Sequence, residues 1–372
     1  MNPMNILAIE TSCDETAIAI LECEGGLEKP QFKVLAEEVS SQIETHRPFG
    51  GVVPNLAKRE HIQNLPIVYE QVKSKLQNPN TKIDLVAVTV GPGLEPCLWT
   101  GINFAENLAK ELNKPLIGVN HLEGHIYSNW LSPIRENPNN KIQNPNIEFP
   151  LIVLLVSGGH TMLILMTSLT EWKVLGETKD DAVGEAFDKV AKMLKLPYPG
   201  GPEIERLAQI ANGQWHIANG TNSENHKLFA MSNKPIFPRP MIHEKNYNFS
   251  FSGLKTSVLY YLRDNPQSAI RNQEIENVCA SFQKAAVDVL VTKTIRAAKE
   301  FNAKTILLCG GVASNKELQK ELKIKANRLG INFSVPEQKY NGDNAVMIAA
   351  AAYMNHLQNK SHKIEANGNL GL

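Results

Sequence analysis

Asn5 to Leu21 is NILAIETSCDETAIAIL. Ile6-Leu7-Ala8-Ile9 and Ala17 to Leu21 are short apolar runs, and Glu10 to Thr16 between them carry hydroxyls, carboxylates and one thiol. Such a pattern predicts two strands around a polar turn. Near Pro150 it returns as PLIVLLVSGGHTMLILMT, with strands Leu151 to Val156 and Met162 to Met166 around Ser157-Gly158-Gly159-His160-Thr161. Two such hairpins, roughly half a chain apart, predict an internal duplication in which each copy opens one lobe. A third strand ends in glycines at Lys304 to Gly311, KTILLCGG, followed by Val312-Ala313-Ser314-Asn315 and a helix from Lys316.

Paired glycines at a strand end let backbone N–H groups approach a phosphate, and a following helix adds its dipole. A single GG turn is more often structural than not. Three turns, each closing an apolar strand, predict a nucleotide held between lobes. The arrangement resembles the actin, Hsp70 and sugar-kinase superfamily. That implies an α/β, two-lobed actin-like ATPase fold with hairpin-led lobes.

A second stretch, Pro115 to Tyr127, is PLIGVNHLEGHIY. Leu116 to Val119 predicts a buried strand, and Asn120 is a good helix-start residue. His121 and His125 then share one helical face, because residues four apart stack there. Two readings stand: a metal-binding imidazole pair, or one cap and one satisfied interior histidine. The zinc-protease pattern H-E-x-x-H does not fit, since Leu122 follows the first histidine and Glu123 comes one place late.

With Lys plus Arg equal to Asp plus Glu at 38 each in 372 residues, no global field draws the chain to nucleic acid or membrane. Any RNA surface is then a local patch or is supplied by a partner. Five scattered cysteines without a C-x-x-C pair argue against a disulfide framework or thiolate zinc. Met1 to Glu10 has no basic start or apolar core of a signal peptide, and no apolar run approaches about 20 residues. The expectation is a soluble, cytoplasmic protein.

The expected domains are a first lobe over residues 1–131, an Asn- and Pro-rich linker over 132–149, and a second lobe over 150–356. An irregular insert occupies 212–251, and a polar tail over 357–372 is expected to fray. Val183, Ala186, Phe187, Val190, Ala191 and Leu194 recur at helical spacing, with Asp188 beside that face. In and just after the insert, Phe237, Arg239, His243, Lys245, Tyr247, Phe249, Phe251 and Lys255 interleave. Aromatics among cations can stack on and neutralise RNA, although a packed surface loop is the commoner origin of such a pattern. Asp343, just before the apolar run from Ala345, reads as a helix N-cap.

Ten short segments, in order along nearly the whole chain, together resemble one family. They are Ile9 to Thr16, Phe49 to Pro54, Gly91 to Leu94, His121 to His125, Leu154 to Thr161, Gly184 to Lys189, Tyr198 to Pro202, Phe249 to Thr256, Gly310 to Asn315 and Gly342 to Ile348. Each is weak alone; the set is specific. The family is the bacterial-type tRNA N6-adenosine threonylcarbamoyltransferases (TsaD), formerly called glycoprotein endopeptidases. The resemblance implies a metal held by His121, His125 and Asp343, iron(II) with zinc as the other candidate. It implies substrate contacts at Leu155, Val156, Ser157, Gly158, Gly159, Asp188, Gly201, Glu205 and Asn315. The implied reaction moves threonylcarbamoyl from threonylcarbamoyl-AMP to adenosine 37 of tRNA. Implied helpers are an inactive paralogue, TsaB, and an ATPase, TsaE.

Leu155 sides with the bacterial type, where archaeal and eukaryotic relatives carry a tyrosine. Glu95-Pro96-Cys97, Asn55 and Lys58 depart from residues frequent in bacterial members. The competing readings are a sugar or acetate kinase and a non-catalytic metal- and nucleotide-binding scaffold. A kinase of this superfamily carries Asp-x-Gly in its first loop, where this chain has Glu10-Thr11-Ser12.

Overall fold

The computed structural model describes residues 3–131, 147–213, 234–265 and 272–372. The chain forms two compact units. One comprises Met1–Ile147, Thr167–Trp172 and Ser334–Leu372; the other comprises Glu148–Met166 and Lys173–Phe333. Most of the expected linker, and residues 214–233 of the expected insert, lie outside the described residues.

The first unit is built on β1 (Met4–Glu10), β2 (Glu15–Glu24), β3 (Gln31–Ser41), β4 (Leu85–Gly91) and β5 (Leu116–Asn120). The sheet order is β3-β2-β1-β4-β5. β1 pairs antiparallel with β2 across the predicted turn and parallel with β4, Ile9 facing Ile18 and Val88. Helices α1 (Pro54–Lys75) and α2 (Glu95–Leu112) bury Leu65, Val68, Val72, Ile102 and Ala105 in the same core as Leu7, Ile9 and Ile18. Glu95-Pro96-Cys97 starts α2, with proline in the first turn, where its missing N–H removes no helical bond. Asn55 and Lys58 are exposed on the first turn of α1. The short α3 (His121–Tyr127) follows β5 directly.

The second unit repeats the plan with β6 (Leu151–Val156), β7 (Thr161–Met166) and β8 (Trp172–Glu177). Helices α4 (Val183–Met193), α5 (Gly200–Ala211), α6 (Ser252–Asp264) and α7 (Asn272–Glu300) follow. β9 (Thr305–Cys309), α8 (Lys316–Arg328) and β10 (Asn332–Ser334) complete it. Its sheet order, β10-β9-β6-β7-β8, is the first order read from the other edge. β6 again pairs antiparallel with the next strand and parallel with the fourth. The same five-strand plan in both units is the duplicated actin-like α/β fold that the hairpins predict.

Two expectations need correction. The second lobe does not extend to residue 356: α9 (Ala345–Leu357) and Asp343 belong to the first unit. Every residue from Ala345 to Asn355 is buried, and small alanines let that helix pack closely on all sides. Nor does the segment after Leu357 fray. His362 bridges to Gly118, the Asn367 N–H donates to the Val90 carbonyl at 2.9 Å, and Ile364, Ala366 and Leu370 pack on the first core. Of the two readings of the aromatic and cationic stretch, the commoner one, packing, holds. Phe237, Tyr247, Phe249 and Phe251 are buried, Arg239 pairs with Asp288, and Lys255 pairs with Asp181. No helix among the described residues is long and apolar enough to cross a membrane.

Candidate functional site

The end of β5 places the first candidate. Asn120 caps α3, its Oδ1 accepting the Leu122 N–H at 2.8 Å. His121 and His125 then project together, ring centroids 4.7 Å apart and nearly perpendicular. Gly124 lets α3 lie close to α9, since a Cβ there would stand 3.0 Å from Ile348 and Met347. That packing brings in Asp343. Its carboxylate lies 3.3 Å from His121 Nε2 and 3.2 Å from His125 Nε2. The three ligand atoms all lie within 4.8 Å of one another.

Asp343 does not cap the helix behind it. Asn344 does, accepting the Met347 N–H at 2.9 Å, and Asp343 is left aimed at the histidines. His125 is fully buried, and neither of its ring nitrogens makes a hydrogen bond. His61 in the same unit shows the alternative: it is buried with Nδ1 2.8 Å from Thr16 Oγ1 and Nε2 3.0 Å from the Cys13 carbonyl. A buried imidazole that meets only a carboxylate 3.2 Å away, without hydrogen-bond geometry, is expensive, and a metal ion at the shared focus would satisfy it. The donor set of two imidazoles and one carboxylate fits a divalent ion and leaves coordination positions open.

Behind the ligands stands a residue the sequence reading assigned no role. Glu10, fully buried at the end of β1, accepts from Thr89 Oγ1 at 2.6 Å and from the Ser12 N–H, and lies 3.0 Å from His121 Nδ1. A carboxylate on Nδ1 fixes the tautomer that leaves Nε2 free to ligate. Its sequence signals, a carboxylate ending an apolar strand and a place in the Ile9 to Thr16 segment, name no role. Burial would raise Glu10, but His121 beside it outweighs burial and holds the carboxyl below its ordinary value. Burial would likewise raise Asp343, and the two imidazoles hold it well below the carboxylate range. His121 is pushed up because Asp343 and Glu10 outweigh its burial, whereas burial keeps His125 down and neutral. The centre favours positive charge.

The second candidate lies within the second unit, where the ends of β6 and β9 meet the starts of α4, α5 and α8. Leu155 and Val156 are fully buried at the end of β6, backbone included. A Cβ on Gly310, whose φ is +91°, would stand 2.3 Å from the Val156 carbonyl oxygen, so the β9 turn rests on β6. The Ser157 carbonyl accepts the Gly184 N–H at 3.3 Å, joining the second hairpin to α4. Asp188 Oδ1 accepts the Gly200 N–H at 2.8 Å, fixing the turn that carries Gly201. Glu205 Oε1 accepts the Lys316 N–H at 2.6 Å, and burial raises its carboxyl above the ordinary value. Asn315 caps α8 through Leu318 N–H at 2.9 Å while its Nδ2 donates to Gln283 at 2.8 Å.

Asp188 and Glu205 thus use side chains to hold the backbone at Gly200 and Lys316, while Asn315 caps α8 and ties it to α7. At Gly158, Gly159 and Gly201, by contrast, an added Cβ would meet nothing within 4 Å. Packing does not demand these glycines, and their backbone is accessible. The metal cluster and this loop cluster fall in different units.

The chain matches the family described as TsaD: tRNA N6-adenosine threonylcarbamoyltransferase over residues 33–350. It is 46% identical over 350 residues to the tRNA N6-adenosine threonylcarbamoyltransferase of Thermosipho africanus, covering 94% of each chain. The enzyme of that name from Thermosipho melanesiensis is 44% identical over 369 residues, with 99% and 100% covered. That from Staphylococcus haemolyticus is 42% identical over 365 residues, with 98% and 94% covered. With such matches spanning both hairpins, the histidine pair and Asp343, this chain belongs to the tRNA N6-adenosine threonylcarbamoyltransferase family.

Proposed function

We propose that this chain transfers the threonylcarbamoyl group from threonylcarbamoyl-AMP to the exocyclic amine of adenosine 37, in tRNAs reading codons that begin with A. AMP is released. One observation carries the reading: in a chain matched to the family over residues 33–350, two histidines and a distant carboxylate converge with ligand atoms within 4.8 Å.

In this reading His121, His125 and Asp343 hold one divalent ion, iron(II) in preference to zinc. Bound there, the ion supplies Lewis acidity toward an oxygen of the substrate. Glu10 keeps the proton of His121 on Nδ1, so that Nε2 faces the ion. The Ser157-Gly158-Gly159 turn, Gly201 and the Asn315 turn bind the adenylate through backbone N–H groups. Asp188 and Glu205 position those turns beside the adenylate.

No covalent enzyme intermediate is required. The adenine amine forms a bond to the carbamoyl carbon, the carbon–oxygen bond to phosphate breaks, and AMP leaves with that electron pair. The amine releases one proton. Neither loop residue with a nucleophilic atom suits that role. Cys309 is fully buried and its thiol is pushed far up by burial, and Ser157 Oγ accepts the His160 N–H at 3.1 Å. TsaB and TsaE serve as helpers and supply part of the RNA surface that a chain of zero net charge lacks.

The test is transfer of labelled threonylcarbamoyl from its adenylate to unmodified tRNA, with helpers and iron(II) present. Label on tRNA with the wild type, lost with His121→Ala, is expected. Equal labelling by both removes the metal from the chemistry. No labelling by either returns the chain to the kinase or scaffold readings.

A further inference from the structure

α3 carries two of the three candidate ligands but spans only His121–Tyr127. Two turns of helix are not stable by propensity in water, so the imidazole geometry depends on what holds α3. One segment of the same unit, residues 360–371, reaches it at two points. Asn120 Nδ2 donates to the Gly371 carbonyl at 2.7 Å, while the same side chain caps the helix. Glu123, 1% exposed, accepts from Lys360 Nζ at 2.5 Å and from Asn355 at 2.8 Å, with His362 Nε2 3.5 Å away.

The strands make room for that segment. A Cβ on Gly118 in β5 would stand 2.8 Å from the His362 carbonyl oxygen, and one on Gly91 at the end of β4 would stand 2.0 Å from that of Asn367. Two strand positions are therefore glycine where the segment crosses. The Gly93 N–H also donates to the Gly368 carbonyl at 3.2 Å.

We propose that residues 360–371 are a positioning strap for the metal-ligating helix, with Lys360–Glu123 and Gly371–Asn120 as its two fasteners. The proposal rests on the metal reading above. Glu123 then has a structural assignment despite standing between two histidines. It is a positioning residue, anchored away from the focus of Nε2 atoms and Asp343. Loosening either fastener lets α3 rotate or fray, and the two imidazoles no longer meet one ion at ligand distance.

The experiment titrates the full chain with cobalt(II), followed by its visible absorption and by competition with a chelator. Wild type, Lys360→Met, Asn120→Asp and His125→Ala are compared. Asn120→Asp keeps the cap acceptor but turns the Gly371 fastener into a repulsion between a buried carboxylate and a carbonyl, so Lys360→Met, at a half-exposed side chain on the other fastener, is the independent second variant. Wild type binds one equivalent and His125→Ala loses it. Lys360→Met and Asn120→Asp each weaken binding by about tenfold, as outer-shell changes at metal sites do. Amide exchange in α3 quickens in both while β1 and β2 stay protected, and Lys360→Arg restores affinity. Strap variants within about twofold of wild type, while His125→Ala fails to bind, overturn the strap and leave the metal centre standing. Equal binding by wild type and His125→Ala overturns the metal reading and the strap with it.

Discussion

The β1–β2 and β6–β7 hairpins occupy the same place in two sheets of the same order, yet their turns do opposite things. The first turn is sealed. Glu10, Thr11 and Ser12 are buried, Thr11 Oγ1 donates to the Cys97 carbonyl at 3.0 Å, and Glu10 gathers Thr89, Ser12 and His121. The second turn is open, with Gly158 and Gly159 exposed and no neighbour where a side chain would go. The repeated fold buries one turn's side chains behind the His121–His125–Asp343 cluster and leaves the other turn as bare, exposed backbone.

Glu10 is where the contrast breaks most visibly. Glu10→Ala orphans a buried hydroxyl and a backbone N–H and leaves the His121 Nδ1–H only Ser12 Oγ at 3.3 Å, and removing one member of such a buried set costs about 3–5 kcal/mol. Denaturant unfolding of the metal-free protein should show a fall of that size. Ser157→Ala at the matching place in the second turn removes one bond to a half-buried N–H and should change stability by about 1 kcal/mol or less. Equal losses from the two would mean the turns do not differ in this way.

A second break lies within the glycines of the second unit. Gly310 has φ +91° and its Hα faces the Val156 carbonyl, so Gly310→Ala adds strain and a clash of about 2–3 kcal/mol, readable as a lower thermal midpoint. Gly158→Ala meets neither problem.

These differences also show what was legible in the sequence. The hairpins, their repetition and the Asn120 cap are local patterns, and each appears where the residues predict it. Asp343 was ambiguous because a carboxylate before a helix is usually its cap; only the neighbouring Asn344, taking that duty, frees it. Glu10 and Thr89 are far apart in sequence and meet because β1 and β4 run side by side, which no window of residues reveals. The strap was misread for a related reason. Its polar composition predicts fraying, and the evidence against that sits elsewhere, in glycines at positions 91 and 118. Phe249 and Phe251 admitted both a packed and a stacking reading, and the packed one holds: they share the buried interior with Lys293, whose Nζ donates to the carbonyls of Asn246 and Asn248.

Carboxylates sharpen the comparison by their response to acid. Glu10 is buried, while Asp180 in the second unit is mostly exposed and collects Ser250 Oγ at 2.5 Å, Ser252 Oγ at 2.6 Å and the Phe251 N–H at 2.8 Å at the start of α6. Burial would raise Asp180, but these hydrogen bonds outweigh it and hold the carboxyl below its ordinary value. A depressed folded value means the stabilisation is complete above the unfolded pKa and is lost as pH falls through the folded one. Asp180→Asn keeps an acceptor oxygen and loses only the charge, so at this solvent-screened site it should cost about 0.5–1 kcal/mol at neutral pH. The gap from wild type should close below about pH 4. A gap that persists into acid would assign the effect to shape and not to charge.

The smallest stability effect carries the sharpest functional one. At Gly158 an added Cβ meets nothing within 4 Å and the backbone does not adopt the left-handed region, so Gly158→Ala should leave the unfolding free energy within about 0.5 kcal/mol of wild type. The methyl group would occupy space that, in the proposed reading, belongs to the adenylate phosphate. Calorimetric binding of AMP should then weaken by about tenfold, equivalent to roughly 1.4 kcal/mol, in a protein that unfolds normally. Cobalt(II) affinity, which depends on the other unit, should not move. Unchanged AMP binding would mean that the open turn is open for some reason other than a phosphate, and the second hairpin would lose its assigned ligand while the first kept its ion.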